Sequence, residues 1–258
     1  MEIKKVGVAG FGLMGGGIVQ VAAQAGYEVV ALEAADDFLQ KGFAALEKRL
    51  AGAVSKGKLT QADSDAIRQR IQGTTSVSDM ATCDFIIEAV IENLEMKCKL
   101  FSELDRLCPA HTIFASNTSS MTIIEMAAST KRPDRFVGLH FFNPVPAMKL
   151  VEVVRTVQSS EESVRIATVL VESFGKKAIQ AKDTAGFIVN LLLVPYLMDA
   201  IRALENGVAT REDIDNGMML GCGYPMGPLT LLDLIGLDTI YNVAKIMFDE
   251  FKDPKYAA

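Results

Sequence analysis

The sequence is poor in histidine and cysteine, and this scarcity argues against several kinds of site. Its 258 residues include only two histidines and four cysteines. The cysteines, Cys83, Cys98, Cys108 and Cys222, have no Cys-x-x-Cys spacing, so neither a zinc site nor a disulfide framework is supported. We expect no metal centre, and thiols that are reduced and mostly buried.

The sequence also lacks an excess of basic residues and a long apolar run. Its 26 Lys and Arg face 32 Asp and Glu, so no global basic field attracts nucleic acid or an anionic membrane. A local basic patch can still hold a ligand that bears phosphate. The longest apolar runs, such as residues 190–197, are too short to cross a bilayer, and the N-terminus lacks the order of a signal peptide. We expect a soluble, cytoplasmic protein.

In the first part of the chain, short β-branched segments alternate with helical patterns, which is typical of a parallel sheet with helices on both faces. Residues 36–73 have helical periodicity with a break at 55–58 and predict a helical hairpin that projects from the sheet. The predicted strands are 5–10, 28–33, 85–90, 112–116, 136–142, 149–155 and 176–180.

The pattern changes near residue 183. Beyond this point, long apolar-periodic segments separated by glycine and proline predict a small all-helical domain. The sequence therefore predicts two domains, an α/β domain over residues 1–183 and a helical domain over 184–258.

A glycine-rich loop follows the first predicted strand and opens a helix. In Gly10-Phe11-Gly12-Leu13-Met14-Gly15, the first glycine permits a tight turn and the second lets backbone N–H groups approach a pyrophosphate. Gly15 allows close packing of helix on strand, and the N-terminus of the helix favours an anion. The loop, including Leu13 and Met14, therefore predicts a dinucleotide-binding site.

Glu33 ends the second predicted strand, a little over 20 residues after Gly10. An acidic side chain at this point accepts hydrogen bonds from an adenosine ribose and repels a 2′-phosphate. Residues 34–37 contain no arginine that would bind such a phosphate. The sequence thus predicts NAD, and not NADP, as the cofactor.

His140 is an ionisable ring inside the apolar run of residues 139–146. An unperturbed imidazole titrates near pH 6.5, so it suits a general base, although a single histidine in an apolar strand is more often a hydrogen-bonded core residue. If strands 136–142 and 149–155 are neighbours joined by a turn at 143–146, Glu152 can approach the ring. Alternatively, Glu152 is a solvated carboxylate on a strand.

Two further polar segments are candidates for substrate contacts. Residues 116–120 end a predicted strand with several hydroxyl groups, which suit either a substrate alcohol or an N-cap, and Ser120 is the expected cap of a helix that begins near Met121. Asn190 lies in an apolar helix, and its amide requires a partner, either a substrate carbonyl or a backbone carbonyl.

Taken together, four segments, 86–93, 114–120, 138–146 and 223–228, resemble the short-chain L-3-hydroxyacyl-CoA dehydrogenases, especially the bacterial 3-hydroxybutyryl-CoA dehydrogenases. The resemblance covers nearly the whole chain. It implies a Rossmann-like NAD-binding domain with a helical hairpin insertion, followed by a small all-α dimerisation domain. It also implies a homodimer that interconverts short-chain (S)-3-hydroxyacyl-CoA and 3-ketoacyl-CoA with NAD, in fatty acid or butanoate metabolism.

The resemblance also implies roles for individual residues. His140 would be the general base and Glu152 its orienting partner, while Ser119 and Asn190 would bind the substrate. The nicotinamide-ribose side of the cofactor would contact Glu92, Lys97, Ser119 and Asn143. Lys48 and Lys56 would bind the phosphates of coenzyme A, although a solvated lysine face is the alternative for each.

The chain departs from these relatives at three places. Glu33 stands where many have Asp, Leu191 stands where Arg is common, and the helical domain is expected to be short at its C-terminus. Two other functions stay open, a dehydrogenase of a free 3-hydroxyacid and a non-catalytic NAD-binding protein. Neither the acyl chain length nor the physiological direction follows from the sequence.

Overall fold

The computed structural model describes residues 2–257, which form two compact units. The first, called here the sheet unit, extends to residue 183 but excludes residues 119–121. The second, the helical unit, contains residues 119–121 and the chain from residue 184 onward. The chain therefore passes between the units three times.

The sheet unit is built on an eight-stranded sheet with the order β3-β2-β1-β4-β5-β6-β7-β8. Strands β1 to β6 are parallel, β7 is antiparallel to β6, and β8 is parallel to β7. The first six strands follow the order typical of dinucleotide-binding folds. The strands are β1 (Lys5–Ala9), β2 (Glu28–Leu32), β3 (Ile71–Thr74), β4 (Phe85–Glu88), β5 (Ile113–Ser116), β6 (Phe136–Phe141), β7 (Leu150–Arg155) and β8 (Lys177–Lys182).

Among the described residues, six α-helices belong to the sheet unit. They are α1 (Leu13–Gln24), α2 (Asp36–Ser55), α3 (Gln61–Gln69), α4 (Leu94–Leu107), α5 (Ile123–Ala127) and α6 (Glu161–Ser173). Strands β1, β4 and β5 are almost wholly buried, as expected for parallel strands covered on both faces. This arrangement, with the helical unit that follows, confirms the predicted fold class.

The predicted hairpin of residues 36–73 differs from the structure in two ways. It forms the two helices α2 and α3, but their buried side chains, including Leu46 and Ile67, belong to the same core as α1, so the hairpin does not simply project. Its last residues form β3, which pairs with β2 at one edge of the sheet. The short segment Ile-Gln-Gly-Thr has no alternating pattern, which is why the sequence did not reveal this strand.

The helix after β5 also differs from the prediction. It begins at Ile123 with Thr122 as N-cap, so Ser120 does not cap it. The carboxylate of Asp183 instead accepts hydrogen bonds from the backbone N–H groups of Ile123 and Ile124, at 2.7 and 2.8 Å. The first turn of α5 is therefore satisfied by a residue 60 positions later in the chain.

In the part of the helical unit that the structure describes there are four α-helices, α7 (Val189–Glu205), α8 (Arg211–Cys222), α9 (Pro228–Ile235) and α10 (Leu237–Phe251). Apolar side chains from α7, α9 and α10 form its core. Asp215 on α8 accepts hydrogen bonds from the N–H groups of Leu229 and Thr230 at the start of α9. Within residues 2–257, no helix has both the length and the apolar character needed to cross a membrane.

Candidate functional site

The glycine loop connects β1 to α1, and each of its glycines meets a different constraint. Gly10 has φ +98°, and a Cβ there would lie 2.5 Å from the carbonyl oxygen of Ala89. A Cβ at Gly15 would lie 1.8 Å from the carbonyl oxygen of Gly10. Any side chain at either position would therefore disrupt the contact between loop, strand and helix.

Gly12 meets no such crowding, because a Cβ there would have no neighbour within 4 Å. Gly12 is the N-cap of α1 and supplies no side-chain cap, so the first turn of the helix presents its N–H groups at an open surface. Leu13 is 71% exposed and Met14 is half-buried. A pyrophosphate fits this position, because it is an anion that can accept these hydrogen bonds.

Glu33 lies directly after β2, beside the glycine loop. Its Oε1 accepts a hydrogen bond from the N–H of Phe11 at 2.7 Å, and its Oε2 accepts one from the N–H of Ala34 at 3.0 Å. The carboxylate is therefore fixed against the loop. Each oxygen has a second lone pair that a ribose hydroxyl can use.

His140 and Glu152 form a buried pair on neighbouring antiparallel strands. They are direct partners in the register of β6 and β7, and Nδ1 of the ring lies 2.6 Å from Oε2 of Glu152. The histidine is 5% exposed and the glutamate is fully buried. The predicted approach of these two side chains is thus present, and the solvated alternative for Glu152 is wrong.

A buried charged cluster, which we call the β4 cluster, lies at the carboxyl ends of β4 and β5. Its members are Glu88, Lys97 and Glu92. The ammonium group of Lys97 lies 2.6 Å from Oε1 of Glu88 and 3.1 Å from Oε2 of Glu92. Glu88 is fully buried and Lys97 is 1% exposed, whereas the Glu92 side chain is 35% exposed.

Neighbouring hydroxyl groups complete the β4 cluster. The hydroxyl of Ser116 donates to Oε2 of Glu88 at 2.6 Å, and the hydroxyl of Thr118 donates to Glu92. Sequence reasoning had singled out Lys97 and Glu92 but had missed Glu88, and it had considered Ser116 only within the hydroxyl-rich segment 116–120. The missed signal was the pair of charges nine residues apart, one at the end of an apolar strand and the other in the helix that follows.

A link between the end of β5 and the strand of His140 was also missed. The side-chain oxygen of Asn117 accepts a hydrogen bond from the N–H of Phe141 at 3.0 Å. Asn143, which was predicted to contact the cofactor, lies two residues after Phe141 and is exposed. A cis peptide bond joins it to Pro144. The ends of β4, β5 and β6 therefore present polar groups along one edge of the sheet.

Ser119 and Asn190 both belong to the helical unit. The amide Nδ2 of Asn190, near the start of α7, donates to the backbone carbonyl of Ser119 at 3.3 Å. The structure thus brings these two predicted substrate-binding residues together. The hydrogen bond restrains the backbone of Ser119. It also gives the Asn190 amide a backbone carbonyl as partner, which was one of the two partners considered from the sequence.

Lys48 and Lys56 are both exposed, the former on α2 and the latter at its C-cap. Their positions are compatible either with binding of a phosphate or with a solvated lysine face. Their contact with coenzyme A stays a prediction.

Comparison with known proteins assigns the chain to a family. Residues 5–184 match the model of the 3-hydroxyacyl-CoA dehydrogenase NAD binding domain, and residues 186–258 match that of the C-terminal domain of the same enzymes. The chain is 45% identical over 256 residues to a 3-hydroxybutyryl-CoA dehydrogenase of Mycobacterium tuberculosis, covering 98% of this chain and 90% of the relative. It is 48% identical over 244 residues to the human mitochondrial hydroxyacyl-coenzyme A dehydrogenase, covering 92% and 77%.

A solved structure agrees with this assignment. The crystal structure of an (S)-3-hydroxybutyryl-CoA dehydrogenase from Ralstonia eutropha superimposes with a TM-score of 0.95 at 44% identity, covering 99% of this chain and 90% of that one. The fold and the matched domains therefore define an NAD-binding dehydrogenase. The chain belongs to the 3-hydroxyacyl-CoA dehydrogenase family, and the predicted family and cofactor are confirmed.

Proposed function

We propose that the chain interconverts a short-chain (S)-3-hydroxyacyl-CoA, namely 3-hydroxybutyryl-CoA, and the corresponding 3-ketoacyl-CoA with NAD. The observation that carries this proposal is the buried His140–Glu152 pair in the sheet that also holds the glycine loop. Relatives at 44 to 45% identity bear the name 3-hydroxybutyryl-CoA dehydrogenase, which supports the choice of substrate.

His140 acts as the base in this proposal. Its Nδ1 faces the carboxylate of Glu152, so the proton of the substrate hydroxyl passes to Nε2, and Glu152 stabilises the imidazolium that results. Bound NAD supplies the hydride acceptor for oxidation at C3. In the opposite direction His140 returns the proton to the oxygen of the ketone.

Ser119 and Asn190 position the substrate in this proposal. The bond between the Asn190 amide and the Ser119 carbonyl limits the movement of the backbone that carries the Ser119 hydroxyl. A restrained hydroxyl can hold the reacting oxygen of the substrate at less cost in entropy than a mobile one. Glu92, Lys97 and Asn143 remain candidates for the nicotinamide-ribose side of NAD.

The substrate is tested by NADH oxidation with acetoacetyl-CoA, longer 3-ketoacyl-CoAs and free acetoacetate. We expect turnover with acetoacetyl-CoA and little with the free acid, because coenzyme A supplies binding energy remote from the reacting carbon. Equal kcat/KM for thioester and free acid would overturn the proposed substrate class. No turnover by a folded protein that binds NAD would favour the non-catalytic alternative.

The coenzyme A contact is tested by charge reversal of the two hairpin lysines. We expect Lys48→Glu and Lys56→Glu to raise KM for acetoacetyl-CoA about threefold to tenfold, as for loss of an exposed phosphate contact. KM for the N-acetylcysteamine thioester, which lacks the phosphates, should not change. The matched control is Lys41→Glu, the same charge change at an exposed position of α2.

The helical unit is the proposed dimerisation unit. It exposes several large apolar side chains, of which Leu220 is 84% exposed and Leu192 and Leu234 are each 69% exposed. Such side chains on one small unit support burial against a second copy. Analytical ultracentrifugation of the protein should show a dimer, and the Leu220→Lys variant should shift the measured mass towards that of the monomer. If both proteins sediment as monomers, the assignment of the helical unit to dimerisation is contradicted. The cytoplasmic location stays a prediction.

A further inference from the structure

A buried lysine holds the chain between β6 and β7, residues 142–149, which we call the β6–β7 segment. The ammonium group of Lys176, the residue before β8, donates to the carbonyl oxygens of Val145 and Met148, each at 2.6 Å. Lys176 is 7% exposed, and burial lowers its pKa below the ordinary value. Burial of an ammonium group is costly unless its donors are used, and here both acceptors belong to the β6–β7 segment.

The start of the β6–β7 segment contacts the proposed base. The ring of Phe142 packs against the imidazole of His140, with 4.4 Å between the ring centroids and 50° between the ring planes. Because His140 is the second last residue of β6 and Phe142 follows that strand, a displacement of the segment moves the ring that lies against the imidazole.

The middle of the β6–β7 segment packs on the helix that the glycine loop opens. Val145 is 2% exposed, and a Cβ at Gly17 of α1 would lie 2.7 Å from the Cβ of Val145. The glycine therefore makes room for Val145, whose carbonyl is one of the two that Lys176 holds.

The end of the β6–β7 segment is attached to the same part of the chain. The N–H of Lys177, the residue after Lys176, donates to the carbonyl of Lys149 at 2.6 Å. Lys149 directly precedes β7, the strand that carries Glu152. The start of β8 thus fixes the segment at three carbonyls, two of them through one side chain.

We propose that Lys176 is a positioning residue for the proton transfer: its ammonium group holds the β6–β7 segment against α1, and Phe142 in turn restricts the orientation of the His140 ring. The inference rests on the proposed function, because it requires His140 to act as the base. A general base must direct its nitrogen at the proton that it takes, so a loosened segment slows the chemical step. The glycine loop and Glu33 are not displaced, so cofactor binding is retained.

The test is Lys176→Met, which removes the donors and the charge and keeps an unbranched side chain. The single-turnover rate of acetoacetyl-CoA reduction, measured with excess enzyme and NADH, should fall about tenfold to a hundredfold, as expected for a misplaced reacting group. The Kd for NADH, measured by fluorescence, should change by less than about threefold. A merely structural lysine would lower the stability of the protein but leave the rate per NADH-binding site unchanged.

The matched control is Lys177→Met, the same change at the next position, where the side chain is exposed. This variant keeps its backbone N–H and should leave the single-turnover rate and the Kd for NADH unchanged. An unchanged rate in Lys176→Met, or equal losses of rate and of NADH affinity, would overturn the proposal.

Hydrogen exchange tests the position of the segment without turnover. The N–H groups of Ala147 and Met148 donate to the carbonyl of Pro144 at 2.9 and 3.0 Å, so their exchange reports on the folded segment. In Lys176→Met, exchange in residues 142–149 should be about tenfold faster, while exchange in α4 should not change. Unchanged exchange in the segment would also overturn the proposal.

If Lys176→Met fails to fold, Phe142→Leu tests the same link from its other end. It removes the ring that packs against His140, so the single-turnover rate must fall while exchange in residues 143–149 stays normal; an unchanged rate would overturn the proposal. The proposed function is judged separately, by turnover of the unsubstituted protein. Normal turnover together with an unaffected Lys176→Met variant would refute only the role of Lys176.

Discussion

Two ion pairs with the same 2.6 Å contact lie at opposite edges of the sheet, one of them buried and the other partly buried. At the carboxyl edge, Nδ1 of His140 faces Glu152 across β6 and β7. At the amino edge, Nε of Arg132 donates to Asp105 at the end of α4. The contact distance alone therefore does not distinguish the pair that is proposed to perform chemistry from one that holds the fold.

The surroundings of the pairs do distinguish them. The other guanidinium nitrogens of Arg132 donate to the backbone carbonyls of Asp105, Cys108 and Pro109, so the group ties down the end of α4. A guanidinium does not release its proton in proteins, whereas an imidazole has a second nitrogen and exchanges protons near neutral pH. The comparison supports the proposal that the pair at the carboxyl edge is reactive, and it predicts that the pair at the amino edge contributes only to stability.

The largest expected effect comes from His140→Gln. Loss of the base should reduce turnover of acetoacetyl-CoA about a thousandfold, within the range typical of general acid–base catalysis. NAD binding should change little, because the glycine loop and Glu33 are untouched. Steady-state NADH oxidation and a separate NAD titration measure the two effects, and turnover close to normal would remove His140 from the mechanism.

Asp105→Ala tests the other pair. Removal of one partner leaves the partly buried Arg132 charge without its carboxylate, which should lower the free energy of unfolding of the sheet unit by about 2 kcal/mol. Urea unfolding measures this loss, and kcat in the folded protein should be unchanged. Glu47→Ala, which breaks the exposed contact with Arg68, is the control and should cost roughly 0.5 kcal/mol or less. A large drop in kcat for Asp105→Ala would contradict the division between the edges.

Glu152→Gln is expected to have an intermediate effect. The amide can still accept a hydrogen bond from Nδ1, but it carries no charge to stabilise an imidazolium, so kcat should fall about tenfold to a hundredfold. The Kd for NAD should stay the same. If kcat and NAD affinity fell together, the carboxylate would be a structural partner of the ring and the comparison with Asp105 would fail.

Asp215 extends the comparison to a buried carboxylate whose donors are neutral. Burial opposes its ionisation, but hydrogen bonds from the Thr230 hydroxyl and from the N–H groups of Leu229 and Thr230 outweigh it, so the pKa of Asp215 lies below its ordinary value. The side chain replaces the cap that Gly227 does not provide, and a Cβ at Gly227 would lie 2.3 Å from Asp215.

A lowered folded-state pKa means that the Asp215 carboxylate stabilises the helical unit above the unfolded value of about 4. This contribution is lost as the pH falls through the lower folded-state value. Asp215→Asn should therefore cost about 1 kcal/mol at neutral pH, typical of a lost cap, and should flatten the loss of stability in acid. Thermal unfolding measured from neutral to acidic pH checks both expected effects, and Asp249→Asn, at an exposed position, is the control. The same dependence of stability on pH in Asp215→Asn and in the unsubstituted protein would contradict the stabilising role of the Asp215 carboxylate.

Features that depend on nearby residues were predictable from the sequence. The glycine loop and the two helices of the hairpin follow from local patterns. The approach of His140 to Glu152 follows from two strands that are neighbours in the sequence and pair in antiparallel register. The strand β3 was missed because four residues without alternation give too weak a pattern.

Features that depend on distant residues were not predictable. Ser120 had the local features of an N-cap, yet the capping carboxylate of α5 comes from Asp183, 60 residues away. Glu88 lay inside the predicted strand 85–90, and its burial makes sense only with Lys97 and Ser116 beside it. In both cases a charge is stabilised by donors that only the folded chain brings together.

Residues 119–121 belong to the helical unit although they lie within the sequence of the sheet unit, and this has consequences for folding during synthesis and for truncation of the chain. These three residues are synthesised more than 60 positions before the rest of their unit. The hydrogen bond from the Asn190 amide to the Ser119 carbonyl can therefore form only after the later part of the chain has been made. A chain ended by design at Asp183 would keep the complete nucleotide loop but would leave Ser119 without that partner. If Ser119 and Asn190 position the substrate as proposed, such a fragment should bind NAD yet be unable to turn over an acyl-CoA.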